Sequence, residues 1–197
     1  GFTSYLLLDA PAGMQIDPTS GRITWTPNNN QSQPGNDQHQ VTVRADDGHL
    51  GYGSQTFTIS VTDVNDEPVI ISTAITDAVQ DQLYTYQTEA LEIDLAEQDQ
   101  LSWSLVETPS AMDIDESTGL ITWTPINDEA QPGADQHNVV VRVEDPRGGF
   151  DEQTYAITVQ NVNDAPEIVS SPELRARVNF NYLYDVEGQD VDVLDHG

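Results

Sequence analysis

The stretch Ser102–Pro125, SWSLVETPSAMDIDESTGLITWTP, decides the fold because it occurs twice: Ser4–Pro27 reads SYLLLDAPAGMQIDPTSGRITWTP. The offset is 98 positions without a gap, carrying Trp25 onto Trp123, His39 onto His137 and Pro68 onto Pro166. About half the positions between Ser4 and Ile70 are identical to their mates. Tyr84 and Tyr86 map in turn onto Tyr182 and Tyr184, so a third copy begins near the end of the chain. A period of 98 is domain-sized, unlike the ~20–50 residues of solenoid repeats, so the copies are expected to be separate beads rather than one stacked core. Taking Asp66 and Asp164 as unit ends gives residues 1–66, lacking their first strands, 67–165, complete, and 166–197, holding the first strands of a third repeat.

Within the complete unit the apolar residues alternate with period two and no stretch sustains a helical period. Tyr84, Tyr86, Thr88 and Ala90 share one strand face. Leu101, Trp103 and Leu105 make a second strand, Ile121 and Trp123 a third, Val139, Val141 and Val143 a fourth, and Tyr155, Ile157 and Val159 a fifth. Val69–Ile71 and the pair Met112 and Ile114 bring the count to seven, with turns at Glu116–Gly119, Gln131–Gly133 and Arg147–Gly149. Seven short strands in one repeat predict an all-β, immunoglobulin-like antiparallel β-sandwich, repeated in tandem.

Charge narrows the partners. Thirty-four Asp plus Glu face six cations, all of them Arg, for a net charge of −28. Nucleic acid and anionic membrane surfaces are poor partners for such a chain, because binding either begins with clustered cations. Zero Cys removes disulfides, Cys-ligated zinc and thiol catalysis together. No apolar run is long enough to span a bilayer. The chain opens on Gly rather than Met, which suggests a window from something longer.

The seams between copies concentrate oxygen donors. Asp63-Val64-Asn65-Asp66-Glu67-Pro68 returns as Asn161-Val162-Asn163-Asp164-Ala165-Pro166, and about 25 residues beyond each seam come Glu92-Ile93-Asp94 and Asp190-Val191-Asp192. Calcium takes six to eight oxygens from carboxylates, amides and carbonyls, and crowded carboxylates repel unless a cation neutralises them. Asn and Asp are also ordinary turn residues, so the weight falls on the combination of seam, acidic pair and repeat.

DVNDEP and NVNDAP resemble the linker of cadherin repeats, and IDPTSGRI and IDESTGLI resemble the cadherin mid-domain stretch. Together with the Tyr84-Thr85-Tyr86 strand, AGM or SAM, and ITWTP, they resemble more closely still the bacterial "putative Ig" and dystroglycan-type cadherin-like repeats. Those stand in tandem in large bacterial surface and secreted proteins, including adhesins. The resemblance implies calcium ligation at the first seam by Asn65, Asp66 and the carbonyls of Val64 and Glu67, joined by Glu92, Asp94 and Asp145. At the second it implies Asn163, Asp164, Asp190 and Asp192, an incomplete set because the residue answering to Asp145 would follow position 197. Two departures qualify the expectation. Trp25-Thr26-Pro27 and Trp123-Thr124-Pro125 stand where cadherins carry an acidic motif, which implies one ion per junction rather than three, with Asp128 and Glu129 as substitutes at the second seam only. Glu92 replaces the usual first Asp.

Other residues read as structural. His39 and His137 sit at matched positions before a strand, Asp46 and Asp47 lie at a strand end, and no sequence pattern joins them into a catalytic set. Trp25 and Trp123 share parity with Ile23 and Ile121, which favours core packing over sugar stacking. Tyr52 and Phe150, in loops after Gly51 and Gly149, are the better stacking candidates. Asp190–Asp195 only loosely matches an EF-hand loop, and the sequon Asn30-Gln31-Ser32 has no mate in the second copy. The expectation is a non-enzymatic, calcium-stiffened segment of an extracellular, bacterial cell-surface protein, with calcium and neighbouring repeats as partners and polysaccharide or a surface receptor as further ones. The alternative is a carbohydrate-binding or homotypic adhesion module, including one accessory to a secreted polysaccharide-active enzyme.

Overall fold

The computed structural model describes residues 4–94 and 100–192. They fall into two compact units, one of Gly1–Pro68, Leu91–Leu101 and Asp145–Gly149, the other of Val69–Ala90, Ser102–Glu144 and Phe150–Gly197. The architecture is all-β.

In the first unit, β1 (Ser4–Asp9), β2 (Gln15–Ile16), β3 (Ile23–Thr24), β4 (Gln38–Asp46) and β5 (Tyr52–Ser60) form a three-stranded sheet in the order β1-β4-β5 and a β2-β3 ribbon. Strands of the second unit are β6 (Val69–Ile70), β7 (Asp77–Val79), β8 (Tyr84–Gln87), β9 (Ala90–Leu91, at the unit edge), β10 (Ser102–Glu107), β11 (Asp113–Ile114), β12 (Leu120–Trp123), β13 (Gln136–Glu144), β14 (Phe150–Gln160), β15 (Glu167–Ile168) and β16 (Gly188–Gln189). A four-stranded sheet β10-β13-β14-β7 and a three-stranded sheet β11-β12-β8 enclose its core.

Alternation places that core as expected. Val139, Val141, Val143, Ile121 and Ile157 are fully buried, with Tyr84, Tyr86, Trp103 and Trp123 around them. Burial of each such side chain is worth about 1.5–3 kcal/mol. In the register of β12 on β8, Trp123 stands opposite Tyr84 and Ile121 opposite Tyr86. Both copies share one irregularity, a bulge between Leu7 and Asp9 and again between Leu105 and Glu107.

Three details depart from the sequence reading. Leu101 lies outside β10, Val69 and Ile71 are exposed, and a strand that alternation does not reveal, β7, pairs in parallel with β14. Only Ala78 is fully buried among its three residues, so it carries no legible period.

The IDESTGLI stretch is a turn device. Asp115 Oδ1 accepts the N–H groups of Ser117 and Thr118 at 3.0 and 2.8 Å, and Gly119 follows at φ +71°. A Cβ there would collide with the Thr88 hydroxyl and the Trp103 indole, so both backbone conformation and packing require glycine. Asp17 and Gly21 repeat the arrangement in the first copy, with Gly21 against the Tyr5 ring. Hydrogen bonds from the Ser117 hydroxyl and the Thr118 N–H push Asp115 down to about 2. Its carboxylate is committed to the turn.

Residues 166–192 expose what the middle copy buries. Tyr84 is 5% exposed and its mate Tyr182 47%. Among the described residues the β15-β16 ribbon has no counterpart of the strands that cover Tyr84.

Candidate metal-binding seams

Every side chain described at the first seam belongs to the first unit. The loop Asp145–Gly149 is folded by its own aspartate: Asp145 Oδ1 accepts the N–H groups of Arg147 (2.7 Å) and Gly149 (3.0 Å), and Asp145 N–H donates to the Gly149 carbonyl at 2.9 Å. Asp47 closes its loop in the same way through His49 and Gly51. The other Asp145 oxygen accepts Asn65 Nδ2–H at 2.9 Å. A Cβ on Gly149 would strike both groups, so the approach depends on glycine.

Glu92 and Asp94 enter from the opposite stretch. Glu92 is 3% exposed, and its Oε1 accepts the N–H groups of Ile93 and Asp94. Asp94 is 1% exposed; its Oδ2 accepts Asp66 N–H at 2.9 Å and Arg147 Nη2–H at 2.6 Å, while Gln33 Nε2 lies 3.4 Å from Oδ1. Arg147 also donates to Asp63 Oδ2 at 2.7 Å, and Ser32 hydroxyl donates to Asp63 Oδ1. Asp66 accepts Asn29 Nδ2–H at 2.6 Å. Asn65, Asp66, Glu92, Asp94 and Asp145 are therefore brought together. Val64 and Glu67 lie in the same stretch with exposed side chains.

The second seam, within the second unit, repeats half of this. Asp164 N–H donates to Asp192 Oδ2 at 2.6 Å, as Asp66 does to Asp94, and Gln131 Nε2 approaches Asp192 Oδ1 at 3.3 Å, as Gln33 does Asp94. Asn161 Nδ2 and Asp192 Oδ1 are 3.2 Å apart, and Asp190 Oδ1 accepts Asp192 N–H. Asn163 instead donates to the carbonyl of Asp164. Gln80, buried, donates to Asp164 Oδ2 at 3.0 Å and accepts Val162 N–H.

Sequence reasoning missed Gln33, Gln131, Gln80, Ser32, Asp63 and Arg147. For Gln33 and Gln131 a signal existed, since both precede Pro-Gly at the repeat offset. They read as turn residues, although each meets the buried aspartate of its seam.

Among the described residues no group of three or more acidic or histidine side chains is arranged to hold a metal ion as it stands. The reason is visible in the contacts: the carboxylate oxygens are turned toward N–H donors. The donor chemistry nevertheless fits calcium, being all hard oxygen. Asn65 Oδ1 is buried without a hydrogen-bond partner, a costly state for an amide oxygen.

Three seam carboxylates titrate low. Hydrogen bonding from the Ser32 hydroxyl, aided by Arg147, holds Asp63 below the ordinary 3.8. Burial pushes Asp145 up, but the Asn65 amide and the N–H groups of Gly149, Arg147 and Gly148 outweigh it. The Asp164 N–H holds Asp192 down. A carboxylate depressed by folding contributes stability that is full above its unfolded value and is lost as pH falls through the folded one. Both seams are thus expected to keep their structure down to about pH 4 and to loosen below it. Hydrogen exchange at the Gly149 amide, which donates to Asp145, and at the Asp164 amide, which donates to Asp192, checks this; loss of protection already at pH 5–6 contradicts the bonding described.

The remaining candidates take structural places. His39 and His137 bond the carbonyls of Gln31 and Glu129 through Nε2 at 2.7 and 2.8 Å and meet Trp25 and Trp123 edge-on at 5.1 Å. Asp46 pairs with Arg44 at 2.6 Å. Glu129 accepts Ile126 N–H, capping a 3-10 turn, and Asp128 is exposed. Tyr52 and Phe150 begin β5 and β14 rather than sitting in loops, and Arg44 and Arg142 cover one face of each ring at 4.1 and 4.2 Å. That leaves one face of each for stacking. Of the loosely EF-hand-like Asp190–Asp195, residues 193–195 lie outside the described residues. No helix among the described residues is long and apolar enough to cross a membrane.

Solved structures similar to this chain are cadherin extracellular repeats. Mouse cadherin-23 EC22-24 matches at 18% identity and TM-score 0.60, covering 98% of this chain and 66% of that one. Protocadherin gamma B2 extracellular cadherin domains 3-6 match at 15% identity and TM-score 0.61, covering 97% and 49%. The protocadherin gammaB7 EC3-6 cis-dimer matches at 21% identity and TM-score 0.60, again covering 97% and 49%. The chain thus spans about half to two-thirds of the length of these structures, and at such identities the likeness concerns the fold. No curated protein sequence matches the chain. The family described as "Putative Ig domain" matches residues 3–62 and again 67–160. With two such matches over most of its length and a cadherin-like arrangement of strands, the chain belongs to the "Putative Ig domain" family.

Proposed function

We propose that the chain is a calcium-stiffened structural and adhesive repeat segment of a large extracellular, bacterial surface protein, in which calcium bound at each seam turns a flexible joint into a rigid one. The observation that carries this is the duplicated geometry of two buried aspartates, Asp94 and Asp192, each accepting the N–H of the seam aspartate 28 residues earlier. At the first seam, the buried, unpartnered Asn65 Oδ1 supplies an oxygen such an ion would take. Asn65, Asp66, Glu92, Asp94 and Asp145, with the Val64 and Glu67 carbonyls, would hold the first ion; Asn163, Asp164, Asp190 and Asp192 would contribute to the second. Calcium supplies positive charge and multidentate ligation there. A sandwich of ~8–10-residue strands is ~30 Å long, so many copies joined rigidly make a stalk.

Calorimetric titration with calcium, paired with small-angle scattering in calcium and in chelator, tests the proposal. Expected are about one ion per seam and a rise in maximum dimension on binding. At a free concentration a hundredfold above the dissociation constant the ion adds ~2.7 kcal/mol of stability. No uptake and an unchanged scattering profile would leave a plain acidic spacer.

A further inference from the structure

The first seam already contains a cation. Arg147 places one guanidinium nitrogen, Nη2, 2.6 Å from Asp94 Oδ2 and 2.7 Å from Asp63 Oδ2. Asp94 is 1% exposed, so water has little access to the oxygen that Arg147 covers. The same oxygen accepts Asp66 N–H, which makes it the meeting point of the seam and the acidic pair. At the second seam the corresponding Asp192 meets neutral amides, from Gln131 and Asn161, and Asn161 stands where the first seam has Asp63. The first seam therefore carries one more carboxylate at this place than the second.

We infer that Arg147 is the resident counter-ion of the first seam, offsetting one of the two charges of Asp63 and Asp94 in the absence of metal and competing with calcium for Asp94, so that this seam fills only by displacing the guanidinium. The inference rests on the calcium reading above and adds to it: the first joint holds its local structure without calcium and responds to calcium at a higher concentration than its donor set alone would set. Arg is charged at every accessible pH, so the competition is not relieved by titration of the guanidinium. An incoming divalent ion must displace the charge-assisted hydrogen bond from Arg147, which belongs to the stronger class of such bonds, before it gains Asp94 Oδ2.

The test is calcium titration of the 197-residue chain, followed by calorimetry and by the amide shifts of Asp66 and Asp164, which report the two seams separately. Arg147→Gln is expected to bind calcium at the first seam at least about tenfold more tightly than the parent, to melt lower in chelator and to regain parental stability in saturating calcium. Asp63→Asn, which copies the residue of the second seam and takes one of two carboxylates from Arg147, is expected to tighten binding by about threefold. It carries the test if Arg147→Gln does not fold. Binding by the variants but not by the parent is the strongest form of the result. If parent and variants bind equally well, the competition is overturned while the calcium reading stands. If none binds, both fall together.

Discussion

Trp123→Ala is expected to destabilise the second unit by about 3–5 kcal/mol, the range for removing a large aromatic from a packed core. The indole is 1% exposed, its Nε1–H donates to the Ser110 carbonyl at 3.0 Å, and His137 meets its ring edge-on. Truncation therefore empties a large volume and removes the hydrogen bond that ties the indole to the Ser110 turn. It also removes the ring that steadies His137, whose Nε2 holds the 3-10 turn at Glu129. The internal control is Trp25→Ala. Trp25 makes the equivalent bond to Ala12 at 3.2 Å and the equivalent contact with His39, but is only partly buried. Among the described residues β3 pairs only with β2 and not with a strand of the β8 kind, so the loss of Trp25 is expected to cost about 1–2 kcal/mol. Denaturant unfolding followed through secondary structure compares the two. Equal losses would mean that the partner strand β8 contributes nothing to the burial of Trp123.

The contrast between these two tryptophans shows what a sequence makes legible. Alternation at Val139, Val141 and Val143 names a strand because each second side chain meets the same apolar interior, and the structure buries all three completely. Strand β7 escapes because its pairing with β14 uses backbone groups, and a three-residue edge strand has no period to display. The candidate site divides in the same way. Asn65, Asp66, Glu92, Asp94 and Asp145 are visible as acidic and amide residues at repeat seams, and the structure gathers them. Arg147 is not visible. Sequence shows it as one residue of a Pro-Arg-Gly-Gly turn, and its role depends on the loop that Asp145 folds, which turns the guanidinium toward Asp63 and Asp94. Partner identity of this kind is set by tertiary approach, for which no local pattern exists.

Asp94→Ala is the second large effect, expected at about 2–3 kcal/mol in chelator, because the carboxylate is buried and hydrogen-bonded while its partner Arg147 is 36% exposed and keeps Asp63. Asp94 accepts from three directions: Asp66 N–H and Arg147 on one oxygen, Gln33 on the other. Alanine leaves the Asp66 N–H without its acceptor in a partly buried place, an expense of about 1–3 kcal/mol by itself. It also ends the bridge by which Arg147 links Asp63 to Asp94, and the Arg147–Asp63 pair that remains is more exposed and worth ~1 kcal/mol or less. Asp94→Asn separates charge from shape. It keeps an oxygen for Asp66 N–H but offers Arg147 a neutral acceptor, so about half of the loss is expected to return, hydrogen bonds to charged groups being roughly twice as strong as neutral ones. Unfolding of the two variants in chelator and in excess calcium decides between a structural aspartate and an ion ligand. A structural aspartate gives the same loss in both media. An ion ligand gives a larger loss in calcium, because the parent gains stability there that neither variant can gain.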